Sequence, residues 1–595
     1  MNDDDLFIKR LYARCLFASM LALAGGMVGQ ITSAIAAGRL LEAGALPVMA
    51  MALPVQALFS MTGALLGVGG TALCARAIGN GRFDECHRIF TAVYLLTVLA
   101  AALLALVLLP LIDPLVRFLG AGPGLFGATK RYVFALIAGG VFSMSIYPAY
   151  NLLRLDGRFG ASVAVFFAQA VVTISLDLLF LLVFRRGVEA VALATVAGAA
   201  VSGLGGAALL FLGGRNFHFT RSVFATTHRP DIPRIVGGIF AAGSPSAAES
   251  LCILSYSIVL NRLIARSFGI PGLSAFKLID SFNSLALVFI YAVSGPVIQF
   301  VGVFGAEKDS KSIRQLLAQV FSWGALFVLG YIALGEIFAP RLAGLFGMVS
   351  PEARSAAIPA IRIFALSLAP ALANNILVAV YQAENRTFLA NALTVSRLFL
   401  WIVIVAPLLS DRIGLKGVWH SFWIAESLCL LSAVALSLLC RRNKRLSPLF
   451  LVDREAELTG IYRSFSVKND LESIVQSSAG ITEFCEQNAL GSKPTLAISL
   501  AIEELLALIR GRSLADDDGA TMNVRILIEE NTVILRVRNG GKNVNPMEYA
   551  KSPGDAEEAE LLGIKMLSAL AIKIDYRNTF GVNNTTILLA RGDRL

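Results

Sequence analysis

From Leu16 to about Cys440 the chain alternates long apolar runs with short polar turns, and beyond that point the pattern stops. About 20 helical residues cross a ~30 Å hydrocarbon layer. Runs of that length lie at about 14–36, 47–71, 88–112, 131–153, 161–184, 188–212, 235–264, 273–302, 313–338, 357–382, 388–410 and 416–440, and they predict twelve membrane-spanning helices. The first run carries small residues near Ala34–Ala37, as a cleaved signal does. Its leader, however, places Asp3, Asp4 and Asp5 before Lys9 and Arg10, which argues for a retained helix.

After Arg445 the period changes. Ile461–Val467 reads as a strand, Leu471–Asn488 and Thr495–Arg510 as helices, Met522–Glu529 and Val533–Arg538 as strands, Glu557–Leu570 as a helix and Thr585–Ala590 as a strand. The predicted fold class is therefore an all-α polytopic membrane domain at 1–445, a linker at 446–459, and a cytoplasmic α+β sandwich at 460–595. Its helices should cover one face of an antiparallel or mixed sheet.

The polar turns repeat. Gly79-Asn80-Gly81-Arg82-Phe83-Asp84 is echoed by Gly305-Ala306-Glu307-Lys308-Asp309, and Leu155-Asp156-Gly157-Arg158 by Ala383-Glu384-Asn385-Arg386, at nearly equal offsets along the chain. The pattern predicts two six-helix repeats, about 1–212 and 235–440, which run parallel because six spans return the chain to its starting side.

Composition agrees with a membrane protein: 56% of residues are hydrophobic and 15% charged. The net charge of +10 is uneven, because from Leu451 onward 16 Lys and Arg face 21 Asp and Glu, a net of −5, which leaves +15 for the membrane part. Those basic residues cluster in alternate loops, such as Arg76, Arg82, Arg88, Arg154, Arg158 and Lys308. This bias predicts an inner-membrane protein with both termini cytoplasmic, and no nucleic-acid surface. The seven cysteines include no Cys-x-x-Cys pair, the four histidines are not ligand-spaced, and no Walker-type phosphate loop is present. A disulfide framework, a metal site and a Walker-type ATP engine are thereby disfavoured.

Ionisable groups at membrane depth are expensive and mark coupling or substrate sites. Asp177, read at mid-span in the fifth helix with Thr173 one turn before it, is the leading candidate. In the second half Glu249, Asn375 and Gln382 are candidate cavity groups beside Asn374. Asp280 is a further candidate cavity group, although Lys277 lies three residues before it and is suited to pair with it, and Arg397 and Glu426 are suited to pair between the last two helices. Gly63-x-x-x-Gly67, continuing to Gly69 and Gly70, reads as a face for close helix packing.

Gly38-Arg39, Ala45-Leu46-Pro47, Leu53-Pro54, Gly67-Val68-Gly69-Gly70, Arg76-Ala77-Ile78-Gly79 and Gly243-Ser244-Pro245-Ser246 resemble the multidrug and toxic compound extrusion family, in particular its DNA-damage-inducible bacterial branch, over about residues 10–440. The resemblance implies efflux of organic cations and other amphiphiles in exchange for H+ or Na+. It also implies an ion site at Ser33, Thr173, Asp177 and Thr195, where the family carries two aspartates, an asparagine and a threonine. One aspartate and the asparagine are replaced here, so a carboxylate pair sharing one proton is excluded at that place.

The tail, about 460–595, is similar to the histidine-kinase-type ATPase domain, closest to the anti-sigma-factor branch. That likeness places Glu504 at the base, Leu508 at the magnesium ligand, Asn539-Gly540-Gly541 at the adenine-reading turn and Leu562-Gly563-Ile564-Lys565 at the lid. Leucine offers no oxygen to magnesium, and a neutral amide accepts more weakly than a carboxylate. A degenerate nucleotide pocket with weak or no ATP binding is expected, in a regulatory domain that docks a cytoplasmic protein partner. The expected whole is a transporter surrounded by membrane lipid and not an enzyme. A flippase of lipid-linked precursors and a membrane-anchored anti-sigma-like signalling protein are the rival readings.

Overall fold

The computed structural model describes residues 3–41, 45–119, 121, 123–213, 217–220, 231–345, 351–440, 446–447, 449–453, 458, 462–515, 520–529, 531–551, 565, 568–569, 571–579 and 581–591. In the membrane part α1 spans Asp3–Leu40, α2 Ala45–Gly79, α3 Phe83–Leu108, α4 Ile112–Phe118, α5 Pro123–Ala138, α6 Gly140–Leu155, α7 Phe159–Leu178 and α8 Glu189–Gly213. A second group follows: α9 Asp231–Ala306, α10 Ser310–Leu345, α11 Pro351–Leu366, α12 Leu368–Ala383, α13 Thr387–Val395, α14 Trp401–Ile413 and α15 Leu415–Cys440.

Among the described residues nine helices are long and apolar enough to span a membrane, or eleven when each of two bent pairs counts as one span. This falls short of the twelve predicted. The helix α1, whose side chains are described only in part, stands outside that count and packs along α7 and α9. The span predicted at 131–153 is a pair, α5 and α6, bent by 45° around Gly139, and the span predicted at 357–382 is α11 and α12, bent by 42° at Ser367. Gly139 and Ser367 occupy corresponding places in the two groups. The spans predicted at 235–264 and 273–302 lie in the single helical run α9. A Cβ on Gly272 would lie 2.8 Å from the Ile264 side chain, whereas eight residues of straight helix extend about 12 Å. The run therefore turns back on itself there.

Four interhelical turns share one geometry. Gly81, Gly157, Lys308 and Asn385 all have positive φ, from 58° to 76°. At each turn the next residue's N–H donates to the carbonyl five residues earlier: Arg82 to Ala77, Arg158 to Leu153, Asp309 to Phe304 and Arg386 to Tyr381. This is the helix ending that satisfies the last free carbonyls with a left-handed residue. Gly81 corresponds to Lys308 and Gly157 to Asn385, at nearly the same offset that relates Gly139 to Ser367. The fifth and eleventh predicted spans each contain a π-helical turn, at different depths: Leu179–Val183 closes the fifth, and Ser396–Leu400 lies in the first half of the eleventh.

The two groups meet along α2 and α9. The small-residue face read at Gly63 and Gly67 lies against Met144, Tyr147 and Pro148 of α6, while Gly69 faces Gly243 of α9 and Gly79 faces the Val303 carbonyl. Side chains at these positions would push the helices apart.

The C-terminal part of the chain forms a separate layer. Strand β1 is Tyr462–Lys468, β2 Thr521–Ile528, β3 Thr532–Asn539, β4 Ala571–Thr579 and β5 Val582–Ala590; helices α16 Leu471–Gln487, α17 Ser492–Leu508 and α18 Pro546–Lys551 accompany them. The sheet order is β1-β2-β3-β5-β4, and every pair is antiparallel. Asp470 caps α16, accepting from the Ser473 amide at 2.7 Å. Met522, Val524 and Ile526 of β2 and Val533, Leu535 and Val537 of β3 pack on Ile474, Ile481, Ile498 and Ile502 of the helices. Strand β4 was not anticipated, because Lys573, Asp575 and Arg577 alternate there with Ile574 and Tyr576 and lower its apolar signal. The predicted helix at 557–570 lies almost wholly outside the described residues.

The expected linker at 446–459 is not a loose tether where it is described. The Tyr381 hydroxyl donates to the Leu449 carbonyl at 2.5 Å and Arg386 donates to the Leu451 carbonyl at 2.8 Å, so this strap is fastened to the second helical group. A chain that leaves a membrane helix with Leu449, Phe450, Leu451 and Val452 has apolar surface to bury.

Candidate functional site

In the first group α1 brings Ser33 to α7, where its hydroxyl donates to Asp177 Oδ2 at 2.5 Å. Asp177 is 1% exposed, and Oδ1 has no hydrogen-bond partner among the described residues. A carboxylate out of water with an unfilled acceptor retains capacity for a proton or cation. Asp177 is not at mid-span. It lies about 27 Å along the helix from Phe159 and about 9 Å short of Val183, toward the side opposite the C-terminal domain. Thr173 lies one turn earlier and is buried; a Cβ at Gly198 of α8 would collide with its hydroxyl. The Thr195 hydroxyl donates to the Val191 carbonyl on its own helix at 2.9 Å. That back-bond occupies the hydroxyl's proton and leaves its oxygen as an acceptor.

The second group builds a larger cluster nearer mid-depth. Arg397, in the π-helical turn, donates from Nη1 to Glu426 Oε1 of α15 at 3.1 Å and from Nη2 to Glu249 Oε1 of α9 at 3.0 Å. Asn375 Oδ1 accepts from Arg397 at 3.2 Å, Asn374 donates to Glu426 Oε2 at 2.7 Å, and the Tyr291 hydroxyl donates to Glu249 at 3.0 Å. One guanidinium faces two carboxylates, so the ionised cluster holds one negative charge in excess. It lines a cavity of about 50 Å³, with Tyr256, Phe364 and Phe422 as aromatic walls.

Of the sequence candidates in this group, Glu249 and Asn375 join the cluster. Gln382 does not: its amide donates to the Ala242 carbonyl at 2.6 Å, tying α12 to α9 near the C-terminal-domain side. The side chains of Lys277 and Asp280 lie outside the described residues, and with them the pairing expected there. Tyr291 was missed, although it stands alone as a polar group in the run Leu285–Val293.

The turn after α12 carries a titrating group. The Glu384 carboxyl is pushed up to about 7 by burial, opposed by Arg386 and Arg76 and reinforced by Asp453. A carboxyl raised in the folded state costs stability as pH climbs from its unfolded value through about 7. Glu384→Gln is therefore expected to raise the thermal midpoint at pH 8, by about 2–3 kcal/mol in stability, with little gain at pH 4.5. A gain of equal size at both pH values would contradict this.

In the C-terminal domain Glu504 is half-buried on α17, its carboxyl raised by burial and then by Glu503, and Leu508 is buried. Asn539 is held within its turn. It is 1% exposed, and its amide donates to Ser513 Oγ at 2.8 Å and to the Gly540 carbonyl at 2.6 Å. Ser513 also donates to the Lys542 carbonyl at 2.6 Å, and the Asn583 amide reaches both partners. Gly541 has φ +87°, and a Cβ there would run into the Ser513 carbonyl. The turn is thus stitched to the end of α17, and Asn539 is a brace within it. Gly563 lies outside the described residues.

The sequence matches the family described as MatE over residues 18–179 and 245–408. Multidrug export protein MepA of Staphylococcus aureus strain N315 is 26% identical over 413 residues, covering 66% of this chain and 85% of that protein. A MOP superfamily transporter from Pyrococcus furiosus superposes with a TM-score of 0.67 at 20% identity, over 73% of this chain and 96% of that one. A mutant of the Vibrio cholerae MATE transporter VcmN gives 0.68 at 21% identity, over 76% and 100%. These two structures share the fold of the helical part.

Proposed function

Because the chain belongs to the MatE family, we propose that it is a secondary transporter that expels amphiphilic organic cations in exchange for protons, with its C-terminal domain in the cytoplasm as a regulatory part. MepA, a multidrug export protein, supports the substrate class by likeness. The observation that carries the reading is the Glu249–Arg397–Glu426 cluster, which sets one uncompensated carboxylate beside the aromatic cavity. A flat cation gains from both a carboxylate and aromatic faces. The same charge balance repels pyrophosphate and so speaks against the flippase reading.

The coupling site in this reading is Asp177 with Ser33. A proton needs one oxygen, whereas a hard metal cation needs a shell of them. Only these two side-chain groups are hydrogen-bonded together there among the described residues, which favours the proton.

Glu426→Gln tests the cavity. It removes the excess charge, while Asn374 and Arg397 keep an oxygen to bind and Glu249 still pairs Arg397. Discrimination between an organic cation and a neutral compound of the same shape is expected to fall about tenfold, or 1.4 kcal/mol, in competition binding to purified protein. Unaltered discrimination would sink the assignment of this cavity to cations.

A further inference from the structure

The sheet of the C-terminal domain has two faces, and only one is covered by its own helices. Alternation along β2 and β3 sends Arg525, Arg536 and Arg538 to the other face, where all three guanidinium groups close on the turn between α9 and α10. Arg538 Nη1 reaches Asp309 at 3.0 Å and its Nη2 pairs with Glu307. Arg525 donates to the Lys308 carbonyl at 2.7 Å and Arg536 to the Glu307 carbonyl at 3.1 Å. Asn584 of β5 adds a bond to Glu307 at 3.2 Å, and Lys308 pairs outward with Glu529 at 2.8 Å. Glu307 and Asp309 are buried by this docking.

The same sheet also rests on the first helical group. Arg577 of β4 lies over the Phe83 ring at 3.6 Å from its centroid, a cation–π contact at the start of α3. Gly581, in the β4–β5 turn, sits against the Gly157 carbonyl, and α1 touches β1 and β2. One rigid sheet therefore spans both groups, on the side where they are already in contact. There the Tyr12 hydroxyl donates to the Val293 carbonyl at 2.9 Å and Gln299 donates to the Asn151 carbonyl at 3.1 Å.

We propose that the bare face of this sheet is an intramolecular clamp that recognises the acidic Glu307–Asp309 turn and holds the two helical groups together on the C-terminal-domain side. The inference rests on the two-group transport reading, because opening that side means parting α2 and α9. A sheet pinned to Phe83 and Gly157 in one group and to Glu307 and Asp309 in the other resists that motion. Release requires either lifting the sheet or breaking the arginine cage. Mild acid is not the lever. Burial alone would raise the Asp309 carboxyl, but Arg525, Arg538 and the Ser312 bonds outweigh it and hold it well below the usual range. Its contribution is present above the unfolded value and is lost only as pH falls through the depressed one.

The test uses the full chain with spin labels at Gly160→Cys and Phe388→Cys, one near the start of α7 and one near the start of α13, both exposed. The clamped protein is expected to show one short interlabel distance. Arg538→Glu is expected to raise a longer-distance population about tenfold, with cation turnover in proteoliposomes rising with it. Adding Glu307→Arg to that variant restores the pair and the short distance. If Arg538→Glu does not yield folded protein, Arg577→Ala, which leaves the arginine cage intact, is expected to lengthen the distance as well. An unchanged distance distribution in the folded variant overturns the clamp. Lengthened distances in a protein that moves no cation uphold the clamp and overturn the transport reading instead.

Discussion

Replacing Arg397 with methionine is expected to be the most damaging single change in the membrane part. Arg397 is buried and satisfies Glu249, Glu426 and Asn375 at once. Without it the buried Glu426 carboxylate and the partly exposed Glu249 carboxylate remain beside each other with no cation between them. Breaking a buried ion pair by removing one partner costs about 3–5 kcal/mol, whereas removing the whole set of charges is often neutral. The single variant should therefore unfold far below the parent in detergent. The triple variant Glu249→Gln, Arg397→Met, Glu426→Gln should recover most of that stability yet bind no organic cation. Thermal unfolding of the three proteins decides the matter. A single variant as stable as the parent would show that the cluster is not held together by Arg397.

Asp177→Asn is expected to have the opposite profile, a folded protein without coupled transport. The amide keeps the volume and an oxygen to accept the Ser33 hydroxyl, so the α1–α7 contact survives. What is lost is ionisation. Gradient-driven efflux should fall to that of protein-free liposomes, while exchange of labelled for unlabelled substrate, which moves no net proton, continues. Equal loss of both modes would make Asp177 a packing residue, and retention of gradient-driven efflux would remove it from the coupling site.

The turns were the most legible feature of the sequence. Gly81, Gly157, Lys308 and Asn385 end helices in the left-handed region, and that geometry selects short Gly- and Asn-rich polar strings which can be matched across the chain. Asp177 stood out because a carboxylate in an apolar run has few innocent explanations. The meeting of Glu249 with Arg397 was not legible, since 148 residues separate them and periodicity describes only one helix at a time. Thr195 and Gln382 both donate to backbone carbonyls, of Val191 and Ala242, contacts that periodicity along one helix does not foretell. Alternation in β2 and β3 likewise tells which face Arg525 and Arg538 occupy. It is silent on what covers that face, because the membrane turn that does so is remote in sequence, with Lys308 standing 217 residues before Arg525. Asn539 belongs to the same class, for its partner Ser513 follows a helix end that the pattern alone does not bring to the turn.

Proton-for-cation exchange is the central claim, and purified protein in sealed liposomes tests it most directly. An imposed proton gradient, with no sodium present, should drive accumulation of a fluorescent organic cation against its own gradient, and Asp177→Asn should abolish it. Accumulation driven by sodium alone would contradict the proton assignment, and no accumulation under either gradient would contradict the account of this protein as an ion-coupled cation exporter.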